Sequence, residues 1–170
     1  MKLSTILLIA ALGTASTMTS AGDKVSADEF AKKGGAAGVA EVEMGKLGAQ
    51  KATDADVKAY AQKMVADHGK ANKELMAAAK AKNLEVPTEP DMMHKGMMEK
   101  FERQSADQDF NHDFMQQMVR DHEKVVELFQ SAANDSTLDP DMRALAKKTL
   151  PTLKQHLAEA KTLEAKFGKN

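Results

Sequence analysis

The chain has 170 residues, no cysteine, no tryptophan, 12 methionines and a formal charge of −1 at neutral pH. That composition excludes disulfides, thiolate chemistry and cysteine-type zinc sites, and no basic face is broad enough to suggest nucleic acid or an anionic membrane as partner. Once an exported segment is removed, about 149 residues are left, the size of one ordinary domain.

Residues 1–21, MKLSTILLIAALGTASTMTSA, carry Lys2, an apolar run from Ile6 to Leu12 and the small residues Thr19, Ser20 and Ala21. This pattern predicts a cleaved secretory signal peptide and a periplasmic mature chain beginning near Gly22. The apolar run is too short to span a bilayer, so no membrane insertion is expected.

From residue 22 on, apolar residues recur with helical spacing, β-branched runs are absent, and one all-α domain over 22–170 follows. Ser26 with Glu29 reads as a capping box starting a helix to about Lys51. Thr53, followed by Asp54 and Asp56, is expected to cap a second helix to about Lys82. NLEVPTEP (83–90) is a connector, and a short helix is predicted over 91–104. Ser105 is expected to cap the next helix, to about Ala133, and a last one runs from about Pro140 to Phe167, with a kink or broken turn at Pro151. Four long helices and one short one predict a four-helix bundle whose short helix belongs to the long crossover.

Two helices share a word. MVADH (64–68) and MVRDH (118–122) align at an offset of 54, inside a longer match that pairs Gln62 with Gln116, Lys70 with Lys124 and Tyr60 with Phe114. An internal duplication and a convergent pseudo-twofold bundle both account for it. On the second helix, Val57, Ala61, Met64, His68, Ala71, Leu75 and Ala78 alternate steps of four and three, an inward seam with a histidine at its middle. Asn111, Met115, Met118, His122, Val125, Phe129 and Ala132 form the equivalent seam on the fourth. Thr149, Leu153, His156, Ala160, Leu163 and Phe167 form a third, on the last helix, and His122 and His156 fall within about one turn of each other in height.

The first helix offers two carboxylates on opposite sides, Glu41 and Glu43, of which one can face the core. Glu43 is preferred because its stripe lacks glycine. Asp67 and Asp121 lie about 100° round the helix from their histidines and flank the core face. Three histidines and a carboxylate converging from four helices match what metal sites in bundles use. The expected set is therefore His68, His122 and His156 with Glu43 or Glu41 as fourth ligand, and Asp67 and Asp121 orienting the rings. A mononuclear divalent transition metal, zinc, iron, manganese, nickel or copper, fits such a set. The competing reading makes each histidine a core residue bonded to an aspartate or a backbone group, in a non-catalytic bundle that binds a protein partner or a second copy of itself.

A di-iron centre is not expected, because Val65 and Val119 stand where Glu-x-x-His would need glutamate. No nucleophile elbow, phosphate loop or nucleotide fingerprint is present, so metal binding, storage or stress protection is expected rather than turnover. A second, soft-metal site is suggested by MMHKGMM (92–98), where Met92, Met93, Met97 and Met98 surround His94 and could select Cu(I). Adaptable packing at the bundle end explains the same methionines.

Four stretches, AEVEMGKLGAQKA (40–52), VKAYAQKMVADHGKAN (57–72), DFNHDFMQQMVRDHEKVVELF (109–129) and LPTLKQHL (150–157), resemble an exported bacterial family, domain of unknown function 4142, whose members are sometimes called outer membrane proteins. The resemblance implies a ferritin-like bundle and export, and carries no activity with it. It also implies that Glu41, Glu43, Asp67, His68, Asp121, His122 and His156 are recurring polar positions. Asn111, His112 and MMHKGMM depart from that pattern.

Overall fold

The computed structural model describes residues 24–168, so the expected signal peptide, residues 1–21, lies outside the described residues. These residues form five helices: α1 (Ala27–Lys51), α2 (Ala55–Lys80), α3 (Met92–Arg103), α4 (Gln108–Asn134) and α5 (Pro140–Phe167). The chain is all-α, with no strand among the described residues. None of these helices is long and apolar enough to cross a membrane.

Each start is fixed by a side-chain cap that takes otherwise unpaired backbone N–H groups. Ser26 accepts from Glu29 N, but the Glu29 carboxylate bonds Lys33 instead of turning back, so only half of the capping box forms. Two caps differ from expectation. Asp54, not Thr53, accepts from Asp56 N and Val57 N, because Thr53 is held by Asn111 of α4, which accepts from its N and donates to its Oγ1. Asp107, not Ser105, caps α4 by accepting from Phe110 N. Asp91 and Asp139 cap α3 and α5.

α2 closes at Lys80, short of Lys82, in a six-to-one turn: Leu84 N donates to Ala79 O and Asn83 N to Lys80 O, with Asn83 at φ 54°. Asparagine tolerates that left-handed position better than most residues. α5 runs unbroken through Pro151. That proline lies on the exposed face, where water can take the Lys147 carbonyl left without an N–H.

The four long helices pack as two antiparallel pairs, α1 with α2 and α4 with α5. Lys166 reaches Asp54 while Lys148 reaches Glu74, so α2 and α5 also run antiparallel. Gly34 lies beside Phe129 and Gly48 beside Phe114, which makes α1 antiparallel to α4. The directions are therefore up, down, down, up, with α2 and α4 parallel on a diagonal and joined by the crossover that carries α3. Lys51 pins this crossover by donating to the carbonyls of Phe101, Glu102 and Gln104 at the end of α3.

The apolar interior falls into two clusters. One gathers Phe30, Leu75, Phe129, Met142 and Leu153, and the other Met44, Met64, Phe110, Phe114, Met118 and Leu163. A polar layer of Glu41, His68, His122 and His156 lies between them, all four side chains buried. Burying four titratable groups in one layer is costly unless they satisfy one another or an ion.

Candidate metal centre

The α1 seam reads Gly34, Gly38, Glu41, Gly45, Gly48, and all five positions are buried. A Cβ on Gly45 would stand 2.9 Å from the Ala61 carbonyl oxygen, and one on Gly38 would run into the Asn72 amide. The helix therefore lies close enough to α2 and α4 for a carboxylate to reach their histidines. Glu41 is 3% exposed and points inward. The preference for Glu43 is corrected: its side chain is 42% exposed and pairs with Lys46 at 2.7 Å. Glycine marks the packed face of α1, since a Cβ at Gly38, Gly45 or Gly48 would collide with a neighbouring helix.

Each histidine has one ring nitrogen against an oxygen. His68 Nδ1 lies 2.7 Å from Glu41 Oε2, His122 Nδ1 2.9 Å from Met118 O, and His156 Nε2 2.9 Å from Asp67 Oδ2. The Met118 carbonyl and the Asp67 carboxylate can only accept, so the ring proton sits on His122 Nδ1 and His156 Nε2, whereas the Glu41 oxygens lie beside His68 at ion-pair distance and are buried without a hydrogen-bond partner. His122 Nε2 and His156 Nδ1 are then the lone-pair nitrogens of their neutral rings. His68 Nε2 and His156 Nδ1 face each other at 3.3 Å, and His122 Nε2 is buried with no hydrogen-bond partner. One nitrogen from each of the three rings lies within 4.8 Å of the other two.

Burial pushes His122 below its ordinary value, and burial reinforced by the neighbouring His68 pushes His156 down to about 4. For Glu41, burial favours the neutral acid, but His68, His122 and His156 around it outweigh that and hold the carboxyl down at about 2. Glu41 is thus an anion held by the charge of the histidines around it, His68 at 2.7 Å foremost.

Tyr60 closes the layer from α2. Its hydroxyl donates to the His156 carbonyl oxygen at 3.4 Å, its ring centroid is 6.5 Å from His122 and 6.3 Å from His156, and burial drives the phenol well above its usual range. Tyr60 and the Met118 carbonyl are the two members of the site that sequence reasoning missed. The aromatic shared by the two aligned words was the only signal for the first, and a backbone oxygen has none.

The other expected residues go elsewhere. Asp67 stands behind His156 with its side chain 38% exposed, whereas Asp121 is buried on another face of α4 and accepts from Gln117 Nε2 at 2.9 Å. Asp121 therefore orients no ring of the layer. Neither Glu41 nor Glu43 shares the space between the three histidine nitrogens, since Glu41 sits on the Nδ1 side of His68 and His122. In the crossover, Met92 and Met93 are 83% and 57% exposed, while Met97 and Met98 pack on the lower core cluster. Only Asp91 bonds His94, at 2.8 Å. The thioethers are split between solvent and core rather than gathered round that histidine.

Fold and layer together define an all-helical bundle protein with three buried histidines at metal-binding separation. The family model for Domain of unknown function (DUF4142) matches residues 12–163, and the chain belongs to that family. Comparison with curated proteins and with solved structures gives no match.

Proposed function

We propose that this is an exported, ferritin-like four-helix bundle that binds one divalent transition-metal ion through His68, His122 and His156, serving metal handling or stress protection in the bacterial envelope. The observation that carries the reading is the convergence of three buried imidazoles, one nitrogen of each within 4.8 Å of the other two, and each ring has a nitrogen against an oxygen. Metal-bound histidines are typically held this way, by a carboxylate or carbonyl behind the ring. Metal–nitrogen bonds of 2.0–2.1 Å at a tetrahedral angle place ligand nitrogens about 3.3 Å apart. His68 and His156 already stand at 3.3 Å.

Charge supports a divalent ion over Cu(I). The imidazoles are neutral ligands, and the Glu41 and Asp67 carboxylates behind them together offset two positive charges. The up, down, down, up order with a single long crossover is that of ferritin-like bundles, and residues 1–21 support export. Val65 and Val119 keep the centre mononuclear.

A second reading draws on the same 3.3 Å contact: one proton shared between His68 Nε2 and His156 Nδ1 would also satisfy the two facing nitrogens. The layer would then be structural and the bundle an interaction protein. Metal content by mass spectrometry separates the two, using mature protein purified without an affinity tag beside His68→Ala/His122→Ala. Near-stoichiometric metal in the first and none in a folded second is expected. Metal-free protein whose melting temperature is unmoved by Zn, Cu, Fe, Mn or Ni would overturn the metal reading.

A further inference from the structure

Among the described residues, the large apolar side chains left exposed are Met76, Met92 and Met93, at 43%, 83% and 57%. All are methionines. The chain holds no cysteine, so the thioether is its only sulfur. Met92 and Met93 stand side by side as the first two residues of α3, directly after the Asp91 cap. A helical side chain leans back over the turn that precedes it, and at these two positions no such turn exists. The helix start thus leaves both sulfurs in water.

The other methionines of α3 differ. Met97 and Met98 pack on the lower core cluster, and Met44, Met64, Met115, Met118 and Met142 are buried. Adaptable packing explains a methionine that touches the core, but Met92 and Met93 belong to neither core cluster. Oxidation of a thioether follows its exposure and turns a flexible apolar side chain into a polar one. At Met92 and Met93 that polar group would stay in solvent at no cost to packing. At Met97, Met98 or any buried position it would stand against apolar neighbours.

We propose that Met92 and Met93 form a reversible oxidation site that intercepts hypohalous acids before they reach the sulfurs of the core. In the step, the sulfur lone pair displaces hydroxide from the chlorine of hypochlorous acid, and water then displaces chloride from sulfur. The products are sulfoxide, chloride and a proton; sulfur loses two electrons and chlorine gains them. The reaction that restores the site is reduction by a thiol-dependent methionine sulfoxide reductase, in which two thiols become a disulfide and the oxygen leaves as water. The site stands apart from the metal reading, and no outcome below bears on that reading.

The test treats the mature protein with substoichiometric hypochlorous acid and locates sulfoxide by peptide mass spectrometry. Met92 and Met93 should be oxidised first, at least about tenfold faster than any buried methionine, because a buried sulfur reacts only in molecules that have opened locally. The melting temperature should stay unchanged, and reductase with a dithiol should restore both thioethers. In Met76→Leu/Met92→Leu/Met93→Leu, the same dose should place sulfoxide on Met97 and Met98 and lower the melting temperature, whereas Met76→Leu alone should resist like the parent. Sulfoxide spread evenly over the methionines, or a fall in melting temperature with the first oxidation, would overturn the site. A triple variant as resistant as the parent would overturn its protective role.

Discussion

His156 stands between two partners: its Nε2 donates to Asp67 Oδ2 at 2.9 Å, while its Nδ1 meets His68 Nε2 at 3.3 Å. The aspartate decides which nitrogen keeps the proton and so which one is offered to the interior. Asp67→Ala should weaken metal binding by roughly 10- to 100-fold, the usual cost of losing a partner behind a metal-bound histidine. Competition with a chromophoric chelator measures it. Since Asp67 is part exposed, the metal-free protein should lose less than about 1 kcal/mol.

Glu41→Gln and Glu43→Gln form a matched pair on opposite faces of one helix. The first removes the buried charge against His68 and should lower metal affinity by one to two orders of magnitude, about 1.4–2.8 kcal/mol. The second touches only an exposed pair with Lys46 and should leave affinity and melting unchanged. Equal effects from the two would contradict the assignment of Glu41 as the interior carboxylate.

Acid should destabilise the metal-free protein, with a sign that follows from the shifts. His156 titrates near 6.5 when unfolded and about 4 when folded, so between those values the unfolded chain binds more protons and stability falls as pH falls. Glu41, held at about 2 against 4.5 unfolded, continues the loss from about pH 4.5 downward. Urea melts from pH 8 to pH 3 should show stability flat near neutrality and declining below about 6.5, at up to about 1.4 kcal/mol per pH unit for each such group. Stability that rose on acidification from pH 7 to pH 4 would contradict a neutral buried His156.

Glycine substitutions should divide by position. A Cβ at Gly48 would strike the Phe114 ring and one at Gly38 the Asn72 amide, so alanine there should cost about 1–3 kcal/mol and draw Glu41 away from His68. Gly69 and Gly96 lie within helices with nothing near their missing Cβ. Alanine at either should stabilise by roughly 0.4–1 kcal/mol, since the unfolded chain loses freedom at no steric cost. Thermal melts of the four single variants give the comparison.

Which residues of the site could be read from the sequence follows from what helix periodicity does and does not determine. A 3.6-residue repeat fixes the direction of a side chain from its own helix, so His68, His122 and His156 were legible as inward before any contact was known. The choice between Glu41 and Glu43 failed because glycine was taken as a gap in an apolar stripe, when close helix approach makes it the stripe. Asp67 and Asp121 hold the same place in the same word, yet one meets His156 and the other Gln117. That difference comes from the neighbouring helices, at sequence separations that a local pattern does not contain. The cap of α2 moved from Thr53 to Asp54 for a similar reason, since Asn111 of α4 competes for Thr53.

The three rings come from α2, α4 and α5, and their carboxylate from α1; His68 and His156 alone are 88 residues apart in sequence. No fragment short of α5 owns the site, and neither helical hairpin holds it alone. Under the proposed metal reading, a nascent chain has no preformed trap to fill, and affinity would arise only when the two hairpins close on each other. The place where the chain finishes folding would then decide which ions it first encounters, a form of selectivity that the ligand set by itself does not provide.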